Sequence, residues 1–142
     1  MPGLDGQKMS KSYNNMISLR EDPELVKQKI NKMPTDPARI KLTDPGNPNK
    51  CPVWQMHKIY SSEDTLNWVT EGCTKAKIGC IECKKPIVNA VTSELAPIQE
   101  EIAKYQSNPN LIQEIIFEGS ERARVVARET IEEVRDAMGI TY

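Results

Sequence analysis

The stretch PIVNAVTSELAPIQEEIAKYQ, residues 86–106, contains the apolar pattern that decides the fold class. Its apolar side chains recur at intervals of three and four residues, which is the spacing of one face of an α-helix. They are Val88, Val91, Leu95, Ile98, Ile102 and Tyr105. We therefore predict a helix from about Pro86 to Gln106. Pro97 lacks the N–H that would bond one turn back, so we expect a kink or a break there.

The same spacing predicts helices on both sides of this stretch, whereas the alternating pattern of strands is nearly absent. Their starts are marked by Asp, Ser or Asn caps or by a proline at the first helical position. These starts are Asp22-Pro23, Pro52, Ser62 and Asn108-Pro109. We expect the first helix to end near Met33, the third near Gly72 and the last at Met138-Gly139, with an interruption at Gly119-Ser120. The predicted fold class is all-α.

Four prolines, Pro34, Pro37, Pro45 and Pro48, lie within residues 34–50. Proline cannot donate to a backbone ladder and disfavours helix in the residue before it. We predict a long ordered loop between the first two helices.

Composition and charge are those of an ordinary protein domain of 142 residues, with 38% hydrophobic and 27% charged residues and a formal net charge of −1. No apolar run approaches the roughly 18 residues that a membrane span needs. Residues 1–5 lack both the basic leader and the apolar region of a secretory signal. We therefore expect a cytoplasmic protein without a membrane partner.

A local basic cluster stands out against this near-neutral charge. Lys75, Lys77, Lys84 and Lys85 lie between Cys73 and Lys85 with Glu82 as the only acid. Such a cluster is either a solvated lysine face or a contact for an RNA backbone. We predict these four lysines as RNA-binding residues.

The segment Lys8-Met9-Ser10-Lys11-Ser12 combines two lysines with two hydroxyl groups on a glycine-flanked loop. Two ammonium groups three residues apart can neutralise charge on a leaving pyrophosphate, and the hydroxyls can bond phosphate oxygens. The alternative is a solvated loop without a ligand. The segment predicts a phosphate site.

The string GLDGQKMSKSYNN, residues 3–15, closely resembles the signature loop of class I aminoacyl-tRNA synthetases, in the form carried by tryptophanyl-tRNA synthetases. Residues 35–40 and 42–48 are similar to that family's connection into its α-helical C-terminal domain. The resemblance covers essentially the whole chain. It implies a flexible signature loop at residues 1–17, followed by a helical bundle at 18–142 that binds tRNA and its anticodon.

The chain has four cysteines, Cys51, Cys73, Cys80 and Cys83, separated by 21, six and two residues. In a reducing compartment such a set favours metal ligands over disulfides, although inert buried thiols are an alternative. Zinc and a cubane iron–sulfur cluster both accept four thiolates. The single close pair, Cys80 and Cys83, favours the larger group.

The resemblance strengthens the cluster interpretation, because a subset of bacterial tryptophanyl-tRNA synthetases carries a similar four-cysteine pattern that ligates a [4Fe-4S] cluster. In that subset the first spacer is one residue longer. We expect a [4Fe-4S] cluster on the four cysteines of residues 51–83, with zinc as the alternative and a purely structural role as an option.

The family's activity implies ATP with Mg²⁺, tryptophan and a tryptophan-specific tRNA as partners of a full-length, homodimeric ligase. Lys8 and Lys11 would be catalytic, and Met9, Ser10 and Ser12 would complete the ATP site. His57 is expected to pack or to be solvated rather than to catalyse. The chain contains no Rossmann-type ATP domain, so we expect it to be inactive alone.

Two other functions stay open at this stage. The first is a stand-alone, non-catalytic iron–sulfur or zinc module that binds RNA or a partner protein. The second is a related synthetase for tyrosine, which shares the signature loop but is less similar in the segments at residues 35–48 and in the cysteine pattern.

Overall fold

The computed structural model describes residues 1–140, and within this range it contains helices but no β-strand. The helices are α1 (Pro23–Lys32), α2 (Pro52–Tyr60), α3 (Glu63–Thr74), α4 (Cys80–Ser107) and α5 (Pro109–Met138), with a 3₁₀ turn at Pro48–Lys50. The predicted all-α class is confirmed. In this part of the chain, no helix is long and apolar enough to cross a bilayer.

The predicted N-caps are present and hold the helix starts. The side chain of Asp22 accepts from Glu24 N at 2.9 Å. The side chain of Ser62 accepts from Thr65 N, and the side chain of Asn108 accepts from Leu111 N. Each cap satisfies one of the N–H groups that a helix leaves without an internal partner. The sequence therefore located these starts to the residue.

Helix α3 ends at Thr74, two residues beyond the predicted Gly72. Its end is set by Ala76, which adopts a left-handed φ of 54°. The backbone then folds back, so that Lys77 N donates to the Gly72 carbonyl at 2.7 Å. This turn leads directly into α4.

Helix α4 differs from the prediction in two respects. It begins at Cys80, six residues before Pro86, and it continues through Pro86 and Pro97. Each proline removes one backbone bond, but Ile87, Val91 and Leu95 pack into the core, which stabilises the part of the helix between the two prolines. The expected break at Pro97 was wrong, because α4 is continuous there, and the alternative of a kink stays a prediction.

The expected interruption of α5 at Gly119-Ser120 was also wrong, because α5 is continuous across both residues. A glycine inside a helix costs only about 1 kcal/mol relative to alanine. A 30-residue helix rich in good helix formers can absorb that cost.

The chain divides into two compact units, of which the first is Met1–Gln99 and the second begins at Glu100. Three helices build the core of the first unit. Its buried members are Val26, Ile30 and Met33 from α1 and its end, Val53 and Met56 from α2, and Ile87, Val91 and Leu95 from α4. Leu4 and Ile17 pack against this core, so residues 1–17 belong to the first unit. The domain boundary predicted at residue 17 stays a prediction.

The second unit contains α5, none of whose residues is buried. Its large apolar side chains, including Ile116, Phe117 and Val126, are exposed. The helical character predicted for this part of the bundle is confirmed, but α5 contributes no buried core.

Candidate functional sites: the signature loop and the four-cysteine cavity

The signature loop is organised around Asn15, which is only 4% exposed. Its Nδ2 donates to Asp5 Oδ1 at 2.8 Å and to the Lys8 carbonyl at 3.1 Å. Its Oδ1 accepts from Ser10 N at 2.7 Å. One amide side chain thus holds three points along the loop and fixes the backbone on both sides of Met9.

Two backbone contacts close the base of this loop. Gly3 N donates to the Gln7 carbonyl at 2.6 Å, and Leu4 N donates to the Asn15 carbonyl at 2.8 Å. A Cβ at residue 3 would lie 2.4 Å from Asn15 Nδ2, so only glycine fits there. Gly6 turns the chain with a φ of 83°, a conformation that glycine adopts without strain.

The residues predicted to handle phosphate lie on the outside of this frame. Lys8 and Lys11 are exposed, and in residues 1–140 neither forms an ion pair. Ser10 Oγ lies 2.8 Å from Ser12 Oγ. Met9 is half-buried and supports the loop. The five residues therefore share one loop, with both ammonium groups available to an anion.

Sequence reasoning missed the roles of Asn15 and Asp5. The Asn15 amide and the Gln7 N–H both donate to the Asp5 carboxylate, and these bonds lower its pKa below the usual range. Asn15 belongs to residues 3–15, the string that resembles the family's signature loop. Its burial could not be predicted from that string, because a single buried amide follows no periodic pattern.

The four cysteines come together around one cavity. Cys51 lies directly before α2, Cys73 lies in the last turn of α3, and Cys80 and Cys83 lie in the first turn of α4. Each side chain is half-buried. Thr35, Asp36, Arg39 and Val53 complete the lining. The fold thus gathers into one place four thiols that are spread over 33 residues of sequence.

The thiols also interact electrostatically. Burial, together with negative charge on Cys51, Cys73 and Cys80, raises the pKa of Cys83 to about 12. Burial likewise raises the pKa of Cys73, whereas the positive charge of the nearby Arg39 lowers it. Four thiolates at this place repel one another, so a positively charged metal centre is the kind of ligand that would offset their charge.

The spacing of the thiols bears on which metal centre they could hold. Tetrahedral zinc, with Zn–S bonds of about 2.3 Å, requires sulfurs about 3.8 Å apart. Within residues 1–140, no three His, Cys, Asp or Glu side chains are arranged to hold a metal ion. The chemistry of the four thiol donors suits both zinc and an iron–sulfur cluster, and their positions around the cavity do not choose between the two.

The proline-rich loop supplies one wall of the cavity and is anchored by Arg39. Arg39 Nη2 donates to the Ile78 carbonyl at 2.7 Å and to the Leu42 carbonyl at 3.0 Å. Its Nη1 lies 3.9 Å from Cys73 Sγ. Gly46 N donates to the Cys73 carbonyl at 3.0 Å. These contacts hold Cys73 against the loop that was predicted to be long and ordered.

Asp36 fixes the same loop from within. It is buried, and its carboxylate accepts from Ala38 N at 3.1 Å and from Asn47 N at 2.7 Å. These N–H groups lower the pKa of Asp36. The carboxylate is therefore occupied by backbone bonds.

His57 lies on α2 and is completely buried. Of the two expectations for this residue, packing is therefore confirmed and surface solvation was wrong. Its Nδ1 lies 2.8 Å from Ser61 Oγ. Its Nε2 lies 3.0 Å from the Cys83 carbonyl and 3.4 Å from Cys83 Sγ. Burial lowers the pKa of His57, which favours the neutral ring.

The four lysines predicted to bind RNA are in different environments. Lys85 is exposed, and Lys75 and Lys77 are exposed but pair with Glu71 at 2.9 and 3.1 Å. Lys84 is buried, at 3% exposure. Its Nζ donates to the Asn31 and Met33 carbonyls at 2.7 and 2.8 Å. The prediction that Lys84 contacts RNA is therefore corrected. Its buried ammonium donates to carbonyls at the end of α1 and does not face solvent.

Comparison with known proteins identifies relatives that cover the entire chain. A tryptophan–tRNA ligase of Ralstonia nicotianae is 54% identical over 142 residues, and one of Thermotoga maritima is 47% identical over 143 residues. The chain spans 36% and 44% of the lengths of these two proteins.

The fold is also found in solved structures. One is a crystal structure of tryptophanyl-tRNA synthetase from Campylobacter jejuni, complexed with ADP and tryptophan. The match covers 96% of this chain and 42% of the Campylobacter chain, with a TM-score of 0.82 and 26% sequence identity. The model of the family "tRNA synthetases class I (W and Y)" matches residues 1–96. The chain therefore belongs to this family, the class I tRNA synthetases for tryptophan and tyrosine.

Proposed function

We propose that this chain is the C-terminal part of a tryptophan–tRNA ligase. In the full-length enzyme, ATP with Mg²⁺ would activate tryptophan as tryptophanyl-adenylate, and the tryptophanyl group would pass to its tRNA. The observation that carries this proposal is the signature loop, whose shape is fixed by Asn15 while Lys8 and Lys11 remain exposed. We also propose that the full-length enzyme is a cytoplasmic homodimer.

The two lysines would act on the charge that develops as pyrophosphate leaves. Their ammonium groups would stabilise the phosphoryl oxygens in the transition state, an effect worth about 10²–10³ in rate for one well-placed donor. Ser10 and Ser12 would bond phosphate oxygens, and Met9 would hold the loop in place. The bonds from Asn15 pre-organise this arrangement, so little reorganisation is needed when ATP binds.

The helical part would bind the anticodon stem and loop of tRNA. Lys75, Lys77 and Lys85 are exposed and would contact the phosphate backbone. Lys84 is excluded from this surface by its burial. The carboxylate of Glu71 competes with RNA phosphates for two of the lysines, so it would moderate their affinity.

We further propose that Cys51, Cys73, Cys80 and Cys83 hold a [4Fe-4S] cluster. The support is the common cavity that all four thiols line. When bound, such a group would link the segment before α2 to the end of α3 and the start of α4, and so stabilise the helical domain. No redox step is assigned to it.

Binding of tRNA to this chain tests the helical part of the proposal. Filter binding should give higher affinity for tryptophan tRNA than for tyrosine tRNA. A variant with Lys75, Lys77 and Lys85 changed to alanine should bind more weakly and with a smaller salt slope. Equal affinity of the variant and the unsubstituted chain would show that this surface is not the RNA contact.

A further inference from the structure

The environment of Cys83 contains a hydrogen-bond donor outside the four cysteines, namely the ring of His57. The assignment of its proton follows from its partners. The Cys83 carbonyl can only accept, so Nε2, 3.0 Å away, must carry the hydrogen. In the neutral ring Nδ1 then accepts from the Ser61 hydroxyl, 2.8 Å away. The Cys83 carbonyl therefore fixes the tautomer, and the Ser61 hydroxyl supports the ring orientation in which the N–H is directed at Cys83.

The same N–H also reaches the sulfur. Cys83 Sγ lies 3.4 Å from Nε2, within the range of a hydrogen bond to sulfur. The ring is completely buried on α2, and Cys83 lies in the first turn of α4. The contact thus joins two helices at one cysteine, and solvent does not compete for it.

We propose that His57 is a positioning residue for the cluster site, whose Nε2–H holds Cys83 in its ligating orientation and raises the reduction potential of a cluster bound there. The inference rests on the proposed [4Fe-4S] cluster. A hydrogen bond to a ligand sulfur stabilises the more negative, reduced state, because it places positive density beside the added electron. Loss of such a supporting contact typically costs about 10- to 100-fold in metal affinity.

Two substitutions separate the donor from the packing. His57→Gln retains a side-chain N–H that can reach Cys83, whereas His57→Leu fills similar space without a donor. Ser61→Ala leaves the ring in place but removes the hydroxyl that supports its orientation at Nδ1. Met56→Leu is the control for general disturbance of the core, because Met56 is a buried neighbour on α2 in the hydrophobic core.

The test uses the whole chain, purified without oxygen, with iron and sulfide content, the reduction potential of the cluster and the rate of iron loss to a chelator as readouts. We expect His57→Leu to lose iron about tenfold faster and to have a lower potential, with Ser61→Ala intermediate. His57→Gln and Met56→Leu should resemble the unsubstituted chain.

The two proposals fail in different ways. If the unsubstituted chain contains iron and sulfide but the folded variants all share its potential and its rate of iron loss, the role of His57 is wrong and the cluster stands. Should His57→Leu fail to fold by circular dichroism, an unchanged potential in Ser61→Ala would overturn the role in the same way. An unsubstituted chain without iron would overturn both proposals.

Discussion

Asn15 Nδ2 donates to Asp5 Oδ1 at 2.8 Å, and this bond links the two ends of the loop that carries Lys8 and Lys11. The same side chain bonds the backbone of Lys8 and Ser10. The position of both lysines therefore depends on one buried amide, which the sequence does not mark as functional. In the proposed enzyme, Asn15 would act through the lysines, as a positioning residue.

Replacing Asn15 by alanine should loosen the loop without unfolding the first unit. Each lost hydrogen bond is worth about 1 kcal/mol, so the protection of the Ser10 amide against hydrogen exchange should fall by about fivefold or more. In the full-length enzyme, misplacement of the lysines should lower the rate of tryptophan-dependent pyrophosphate exchange by about 10- to 100-fold.

Gln7→Ala is the matched control for this variant, because it also truncates an amide side chain in the same loop, but an exposed one. It should leave both readouts unchanged. Equal effects of the two substitutions would mean that Asn15 does not organise the loop.

Lys84→Met should destabilise the chain, whereas Lys85→Met should not. Lys84 is buried and bonds two carbonyls at the end of α1, which would lose their partner. We expect a loss of about 1–3 kcal/mol in the free energy of unfolding, measured by urea denaturation. Lys85 is exposed, so its substitution should change stability by less than about 0.5 kcal/mol.

Binding of tRNA should show the opposite order for these two variants. Under conditions where both are folded, Lys85→Met should weaken binding and reduce the salt slope by about one, whereas Lys84→Met should not. If Lys84→Met is the weaker binder, the ammonium of Lys84 faces the RNA and is not sequestered by the carbonyls of α1.

Glu71→Gln should strengthen tRNA binding, because it releases Lys75 and Lys77 from their ion pairs. Exposed ion pairs are weak and are screened by salt, so we expect an increase of about two- to fivefold at low salt. Glu114→Gln on α5 changes the net charge equally and serves as the control in the same titration. Equal gains for both variants would attribute the effect to net charge alone.

Gly46→Ala should disturb the cysteine cavity. A Cβ at residue 46 would lie 2.5 Å from Cys73 Sγ, so the thiol or the loop must move. Gly79→Ala adds the same atom near Cys80 but meets only Leu42 Cδ1, at 3.5 Å. We expect Gly46→Ala to reduce the iron bound per chain and to cost about 1–3 kcal/mol of stability. Comparable iron content in the two variants would show that Cys73 does not hold the metal centre as proposed.

The sequence predicts the helix starts well because caps and prolines act locally. Asp22, Ser62 and Asn108 each bond an N–H two or three residues away, and these bonds are encoded within a few positions of sequence. The continuity of α4 depends on distant contacts. Packing of Ile87 and Leu95 against α1 and α2 outweighs the local effect of Pro97, and this could not be read from the stretch itself.

The burial of Lys84 could have been predicted from the sequence. Lys84, Ile87, Val91 and Leu95 follow the spacing of one helical face, and all four are buried. A helix start at Cys80 would have placed Lys84 on that face. The role of Asn15 had no such signal, since it depends on the return of the loop to Asp5 and not on a periodic pattern.

Pyrophosphate exchange by the full-length protein that carries this chain tests the central claim most directly. The account predicts ATP–pyrophosphate exchange that depends on tryptophan and not on tyrosine, and that falls by about 10²–10³-fold in Lys11→Ala. Exchange supported by tyrosine, no tryptophan-dependent exchange, or an unaffected Lys11→Ala variant would contradict it.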